Sequence, residues 1–212
     1  MLTIWGRFDS SNVQALMWCV GELGLPYQRF DVGERFGGTD NAQFLAMNPN
    51  GTIPVLRDGD GPALWETGAI LRYLAARYAA EPFWPAAPDA RAMVDRWAEW
   101  AKLNVAMQFT GPVFWRVART RKADHDTAAI EIGLETLSKS LIIAESQLAK
   151  HSFLACDTLT LADIQFGHIL YRYYSIPIRR MTLPHLQAYY HRLSERPAFR
   201  DHVMVSYEAL CP

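Results

Sequence analysis

Three polar side chains, Ser10, Ser11 and Asn12, stand between an apolar run, Leu2–Trp5, and a stripe at helical spacing formed by Val13, Leu16, Met17, Val20 and Leu23. Their plainest role is structural, because Ser11 or Asn12 can N-cap the helix that the stripe announces. The same place also suits chemistry, since donors at the positive end of a helix favour an anion. Glu66-Thr67 offers a second site of this kind ahead of another helical pattern. An acid can simply begin that helix, or the Thr67 N–H and hydroxyl can take a carboxylate while Glu66 pairs with an ammonium group. Between the two lies Asn48-Pro49-Asn50-Gly51-Thr52-Ile53-Pro54-Val55-Leu56, where turn dipeptides lead into a buried apolar run. Pro54 has no backbone N–H and fits only an edge, a strand start or a bulge. A cis bond before it would turn the chain sharply and leave Ile53 presenting its own N–H and C=O.

The elements that must carry these residues follow from the pattern. Leu2–Trp5 reads as a strand, Val13–Leu23 as a helix ended by Gly24, and Tyr27–Val32 as a second strand, a βαβ unit. Gly33–Asp40 is a glycine-rich loop and Asn41–Met47 a short helix. Val55–Arg57 and Ala63–Trp65 flank Asp58-Gly59-Asp60-Gly61, a hairpin signal, and Thr67–Tyr78 is a helix with Ile70, Leu71 and Leu74 inward. The Pro-rich stretch 81–88 marks a boundary between residues 1–80 and 88–212. Beyond it the pattern is helical. Asp89 is placed to cap a long helix bearing Met93, Trp97 and Trp100, which Gly111-Pro112 should kink or break. Ile130, Leu134, Leu137, Leu141 and Leu148 mark another long helix. Thr160-x-x-Asp163 is a capping-box-like start with Leu159 and Ile164 as its hydrophobic staple, Pro184 opens a further helix, and Pro197 marks a break.

Half of the 212 residues are hydrophobic and a fifth are charged, as in a globular protein with a real core. A formal charge of −1 gives no reason to expect nucleic acid or an anionic membrane as partner. No apolar run is long enough to span a bilayer, and Met1 leads into Leu-Thr-Ile-Trp without a basic secretory n-region. Cys19, Cys156 and Cys211 form no Cys-x-x-Cys and no metal-like spacing with the six scattered histidines, so no metal is expected and a reducing cytoplasm is the simplest setting. Cys19, inside the first helix, reads as a buried structural thiol.

Taken together, Ser10-Ser11-Asn12, the Asn48–Leu56 loop, Leu64-Trp65-Glu66-Thr67-Gly68-Ala69-Ile70-Leu71-Arg72-Tyr73-Leu74 and Thr160-Leu161-Ala162-Asp163-Ile164 resemble, in order and separation, the motifs of the glutathione transferase superfamily, nearest to bacterial serine-type members of theta, beta or nu kind. The resemblance implies a thioredoxin-like domain followed by an all-helical bundle, and a cis Ile53–Pro54 bond. It implies glutathione as co-substrate and a homodimer, in an enzyme of detoxification. The catalytic serine falls on Ser10, with Ser11 and Asn12 as neighbouring candidates; Asn12 stands where many serine-type relatives have proline. Glutathione contacts are expected from Thr52, Ile53, Pro54, Glu66 and Thr67, and from Arg35 and Thr39 near the glycyl carboxylate. Thr67 replaces the family's usual serine and keeps the hydroxyl. The electrophile pocket is expected to draw on Phe109, Trp115, Arg116, Arg119 and Tyr171. The two arginines are three apart on one helical face, suited to an acidic co-substrate. Conjugation to a small hydrophobic or acidic electrophile is the reading, against glutathione-dependent disulfide reduction and a non-catalytic binding protein on the same fold.

Overall fold

The computed structural model describes residues 1–211. β1 (Leu2–Trp5), α1 (Ser11–Glu22) and β2 (Tyr27–Phe30) form the expected βαβ unit, with β1 and β2 parallel. β2 stops at Phe30, short of the expected Val32. Pairing ends there because β1 ends at Trp5, and beyond it only the N–H groups of Gly6 and Arg7 reach the carbonyls of Phe30 and Val32. α2 (Ala42–Met47) is capped by the Asn41 side chain, which accepts from Phe44 N–H. β3 (Val55–Asp58) and β4 (Ala63–Trp65) form the hairpin, giving a four-stranded sheet in the order β2-β1-β3-β4 with the last two pairings antiparallel. α3 (Thr67–Tyr78) packs with α1. Ile4, Leu16, Leu56, Ile70, Leu71 and Leu74 are wholly buried.

The helical part begins with α4 (Pro88–Trp100). Its N-cap is Ala87 with Pro88 at the first helical position, so Asp89 lies in the first turn instead of capping it. A proline needs no N–H partner there, and an acid in the first turn still complements the dipole. The rod continues through a π stretch (Ala101–Ala106), α5 (Met107–Phe109), a second π stretch (Thr110–Trp115) and α6 (Arg116–Ala118). Gly111-Pro112 therefore does not break the helix. A wide π turn takes up the missing proline N–H, a device common at functional sites. α7 (Thr127–Leu148), α8 (Leu161–Gly167), α9 (Leu170–Ser175), α10 (Pro184–Ser194) and α11 (Pro197–His202) complete the bundle.

α8 is the centre of this part, and its cap is the most thoroughly bonded feature in it. The buried Asp163 carboxylate accepts from the N–H groups of Thr160 and Leu154, both at 2.8 Å, from Tyr189 Oη at 2.9 Å and from Thr160 Oγ1 at 3.0 Å. Both staple residues, Leu159 and Ile164, join the apolar core. α8 also touches α1, and α1 packs on α11 as well, where Trp18 meets Phe199 edge to face at 4.9 Å. A Cβ on Gly167 would come within 2.5 Å of Leu193 Cδ1 and 2.9 Å of Trp18 Cη2, so only glycine allows the approach.

Candidate functional site

The site is built where the start of α1 faces the π stretches of the helical part. Ser10 is the N-cap of α1, with extended backbone (φ −83°, ψ 127°), so the cap lies one or two residues before the expected Ser11 or Asn12. Its carbonyl accepts from Gln14 N–H, while its side chain makes no capping bond. The hydroxyl is thus left free at the helix terminus. Ser11 and Asn12 line a cavity of about 240 Å³ with Lys102, Ala106, Met107, Thr110, Gly111, Trp115 and His168. Across it, Lys102 Nζ donates to Asn12 Oδ1 at 2.9 Å. A neighbouring cleft of about 390 Å³ shares Gly111 and Trp115 and adds Arg116, Arg119 and Thr120.

A charged network fixes the loop that precedes Ser10. The buried Asp9 carboxylate meets Arg7 at 2.5 Å and Arg35 at 2.6 Å. Arg172, buried in α9, donates to the Asp9 carbonyl at 2.5 Å. Glu34 joins Arg7 at 3.0 Å to Arg119 at 2.9 Å, tying the loop to the helical part. Burial works against the Asp9 anion, but the two guanidinium groups outweigh it and hold its carboxyl below the usual value. Burial brings Arg172 down to about 10, which leaves it cationic at neutral pH. His168, wholly buried, is pulled down to about 3 by desolvation and by Lys102, so it stands as a neutral imidazole bonded to the Ile164 carbonyl.

The proline loop has the expected shape. The Ile53–Pro54 bond is cis. Asn48, almost wholly buried, donates from Nδ2 to Thr52 C=O at 2.7 Å and Thr52 Oγ1 at 3.2 Å, and it accepts from Asn50 N–H at 3.1 Å. Among the described residues, no hydrogen bond engages the Ile53 N–H or C=O. The side chains of Ile53 and Thr39 both border Gly33. Glu66 has φ +66°, a conformation costly for a residue with a Cβ, and Thr67 behind it is buried at the head of α3. Such strain concentrates at ligand clamps.

The structure brings Ser11, Asn12 and Trp115 to one cavity, with Arg116 and Arg119 in the adjoining cleft. Arg119 is already engaged by Glu34, and Arg35 by Asp9. Phe109 and Tyr171 do not line either cavity, against expectation. Phe109 points into the core, 1% exposed, against Phe114 and Tyr173, and Tyr171 packs on Tyr207. An apolar ring on a continuous helix gains more by filling the core than by lining a polar cavity. Sequence reasoning missed Lys102, Asn48 and the Arg7–Asp9–Arg172 network. Lys102 left one signal, a lone cation within the mainly apolar run Trp100–Met107, where Asn104 is the one other polar residue.

Known proteins resemble this chain along nearly its whole length. The glutathione S-transferase N-terminal domain family matches residues 9–77, and the C-terminal domain family matches residues 104–197. Glutathione S-transferase GstB of Escherichia coli K12 is 35% identical over 206 residues, 97% of this chain and 99% of its own. Glutathione S-transferase 3 of Zea mays is 33% identical, covering 95% of this chain and 93% of its own. The crystal structure of the theta class glutathione S-transferase from Xanthomonas axonopodis pv. citri with glutathione bound superposes with TM-score 0.91 at 43% identity, covering 97% of this chain and 98% of that one. With both domain families in sequence and a relative matched along nearly its whole length, the chain belongs to the glutathione S-transferase family.

Proposed function

We propose that the chain is a glutathione transferase in which residues 1–80 bind glutathione and residues 88–212 supply the electrophile pocket. The observation that carries this is the cavity where the N-terminus of α1, with Ser11 and Asn12, meets Lys102 and Trp115. A thiol there is favoured as thiolate by the helix terminus, by the free Ser10 hydroxyl and by the nearby polar groups. The γ-glutamyl carboxylate suits the head of α3 at Thr67, with Glu66 for the ammonium. The unpaired Ile53 N–H and C=O suit the cysteinyl backbone of the tripeptide. Arg35 and Thr39, together with Thr52 and Pro54, complete the site on the loop side.

In the reaction, the sulfur lone pair forms a C–S bond. Either a leaving group departs with its electrons, or an activated double bond takes the addition and then a proton from water. Arg116 makes no ion pair among the described residues, and it lies on the cleft that adjoins Trp115. That favours a small electrophile carrying a carboxylate, with apolar contact from Trp115. The enzyme works as a cytoplasmic homodimer in detoxification. No helix of the described residues is long and apolar enough to cross a membrane.

Calorimetric titration with glutathione followed by turnover on aryl halides, haloacids and disulfides tests the proposal. Saturable binding with conjugate formation is expected. Binding without turnover would make this a binding protein, and turnover of disulfides alone would make it a reductase.

A further inference from the structure

Asn12 has two chemically different ends, an oxygen that only accepts and an amide nitrogen that only donates. The Lys102 ammonium can only donate, so the atom it meets at 2.9 Å must be the oxygen. Both residues line the cavity at the start of α1, so the Asn12 Nδ2 hydrogens are the end left to meet a ligand. Lys102 sits on the π stretch Ala101–Ala106, whose wider turn presents Lys102 and Ala106 to the same cavity. We propose that Lys102 is a positioning residue of the transferase: it grips the Asn12 carboxamide by its oxygen and turns the Nδ2 donor toward the glutathione sulfur. The proposal rests on the glutathione site described above and assigns a second donor within it, beside the Ser10 hydroxyl.

The surroundings fit that role. Burial pulls Lys102 down from the ordinary lysine value, while Glu66 and Glu99 pull it back toward the charged form. The other charged or titratable groups around the start of α1 are His168, neutral, and the network of Arg7, Asp9, Glu34, Arg35, Arg119 and Arg172. That network binds its own members and the Asp9 carbonyl, and none of its bonds reaches Asn12. Lys102 alone is therefore hydrogen-bonded to the Asn12 side chain among the described residues.

The test is the thiolate absorbance of bound glutathione, titrated with pH in the binary complex, for wild type, Lys102→Met, Lys102→Arg, Asn12→Ala, Asn12→Asp and the double variant Lys102→Met/Asn12→Ala. Lys102→Met should raise the bound thiol's pKa by about one unit, as expected when an oriented donor is lost. Lys102→Arg should restore it. Asn12→Asp should raise it as well, because a carboxylate held by Lys102 turns an acceptor toward the sulfur. In the double variant the Lys102→Met effect should vanish, since there is no amide left to orient. An unmoved titration in Lys102→Met with glutathione still bound, or an undiminished Lys102→Met shift in the Asn12→Ala background, would overturn the positioning role. Failure of the wild type to bind glutathione would instead overturn the site itself, and this role with it.

Discussion

At the scale of single residues, the proposed site divides binding from ionisation. Thr67 is buried at the head of α3 and is not part of the lining of the cavity at α1, so Thr67→Ala should weaken glutathione binding about tenfold, the loss of one charge-assisted hydrogen bond, with kcat little changed. Ser10→Ala should do the opposite: its hydroxyl is committed to no bond within the described residues, so its loss should lower kcat and move the pH–rate profile upward. Steady-state kinetics beside calorimetry distinguishes the two patterns. Buried His168 carries a further consequence. It is neutral when folded, at about 3, and protonates near 6.5 once unfolded, so acid favours the unfolded chain. Stability should therefore rise with pH by about 1.4 kcal/mol per unit between those limits. Urea denaturation at several pH values from about 4 to 6 should show a rise steeper in wild type than in His168→Gln by that amount, with partly buried His202 adding a remainder of the same sign and buried Asp163, whose carboxyl is raised, one of opposite sign. The sequence revealed the polar triplet at α1 because three capping-type residues preceded an apolar stripe. It did not reveal Lys102 as their partner, because ninety positions separate Asn12 from Lys102 and only tertiary packing closes that gap.

At the scale of elements, local chemistry decided most of the fold. The hairpin Asp58–Gly61, the capping box at Thr160 and the proline at the head of α10 were all readable, since each depends on neighbours in the chain. Gly111-Pro112, expected to kink or break its helix, distorts it into a π stretch without breaking it, because packing holds the segment: α7 lies against it, where a Cβ on Gly133 would come 3.0 Å from the Pro112 carbonyl oxygen. Phe109 misled for a related reason, since helical spacing gives a face but not which neighbour covers it. Two substitutions probe the packing around α8. Asp163→Ala leaves four buried donors without their acceptor and should cost about 3 kcal/mol or more. Gly167→Ala drives a methyl into Leu193 and Trp18 and should cost about 1–3 kcal/mol. Equilibrium denaturation reads both, and a loss below about 0.5 kcal/mol in either would show that the packing around α8 relaxes more easily than its geometry implies.

At the scale of the whole molecule, the site belongs to neither part alone. The N-terminal part brings the helix terminus and the proline loop, and the helical part brings Lys102, Trp115 and the arginines, with Glu34–Arg119 and Asp9–Arg172 spanning the join. The proposed dimer predicts a light-scattering mass of twice the 24.1 kDa chain at micromolar concentration, and a single-chain mass throughout would count against it. On the proposed function, this join ionises a bound thiol. The most direct measurement of that ionisation is the pH titration of thiolate absorbance for glutathione bound to the wild-type protein, beside free glutathione. The midpoint should lie clearly below the ordinary thiol value of about 8.5. A bound thiol that titrates at or above the free one would contradict the proposed function.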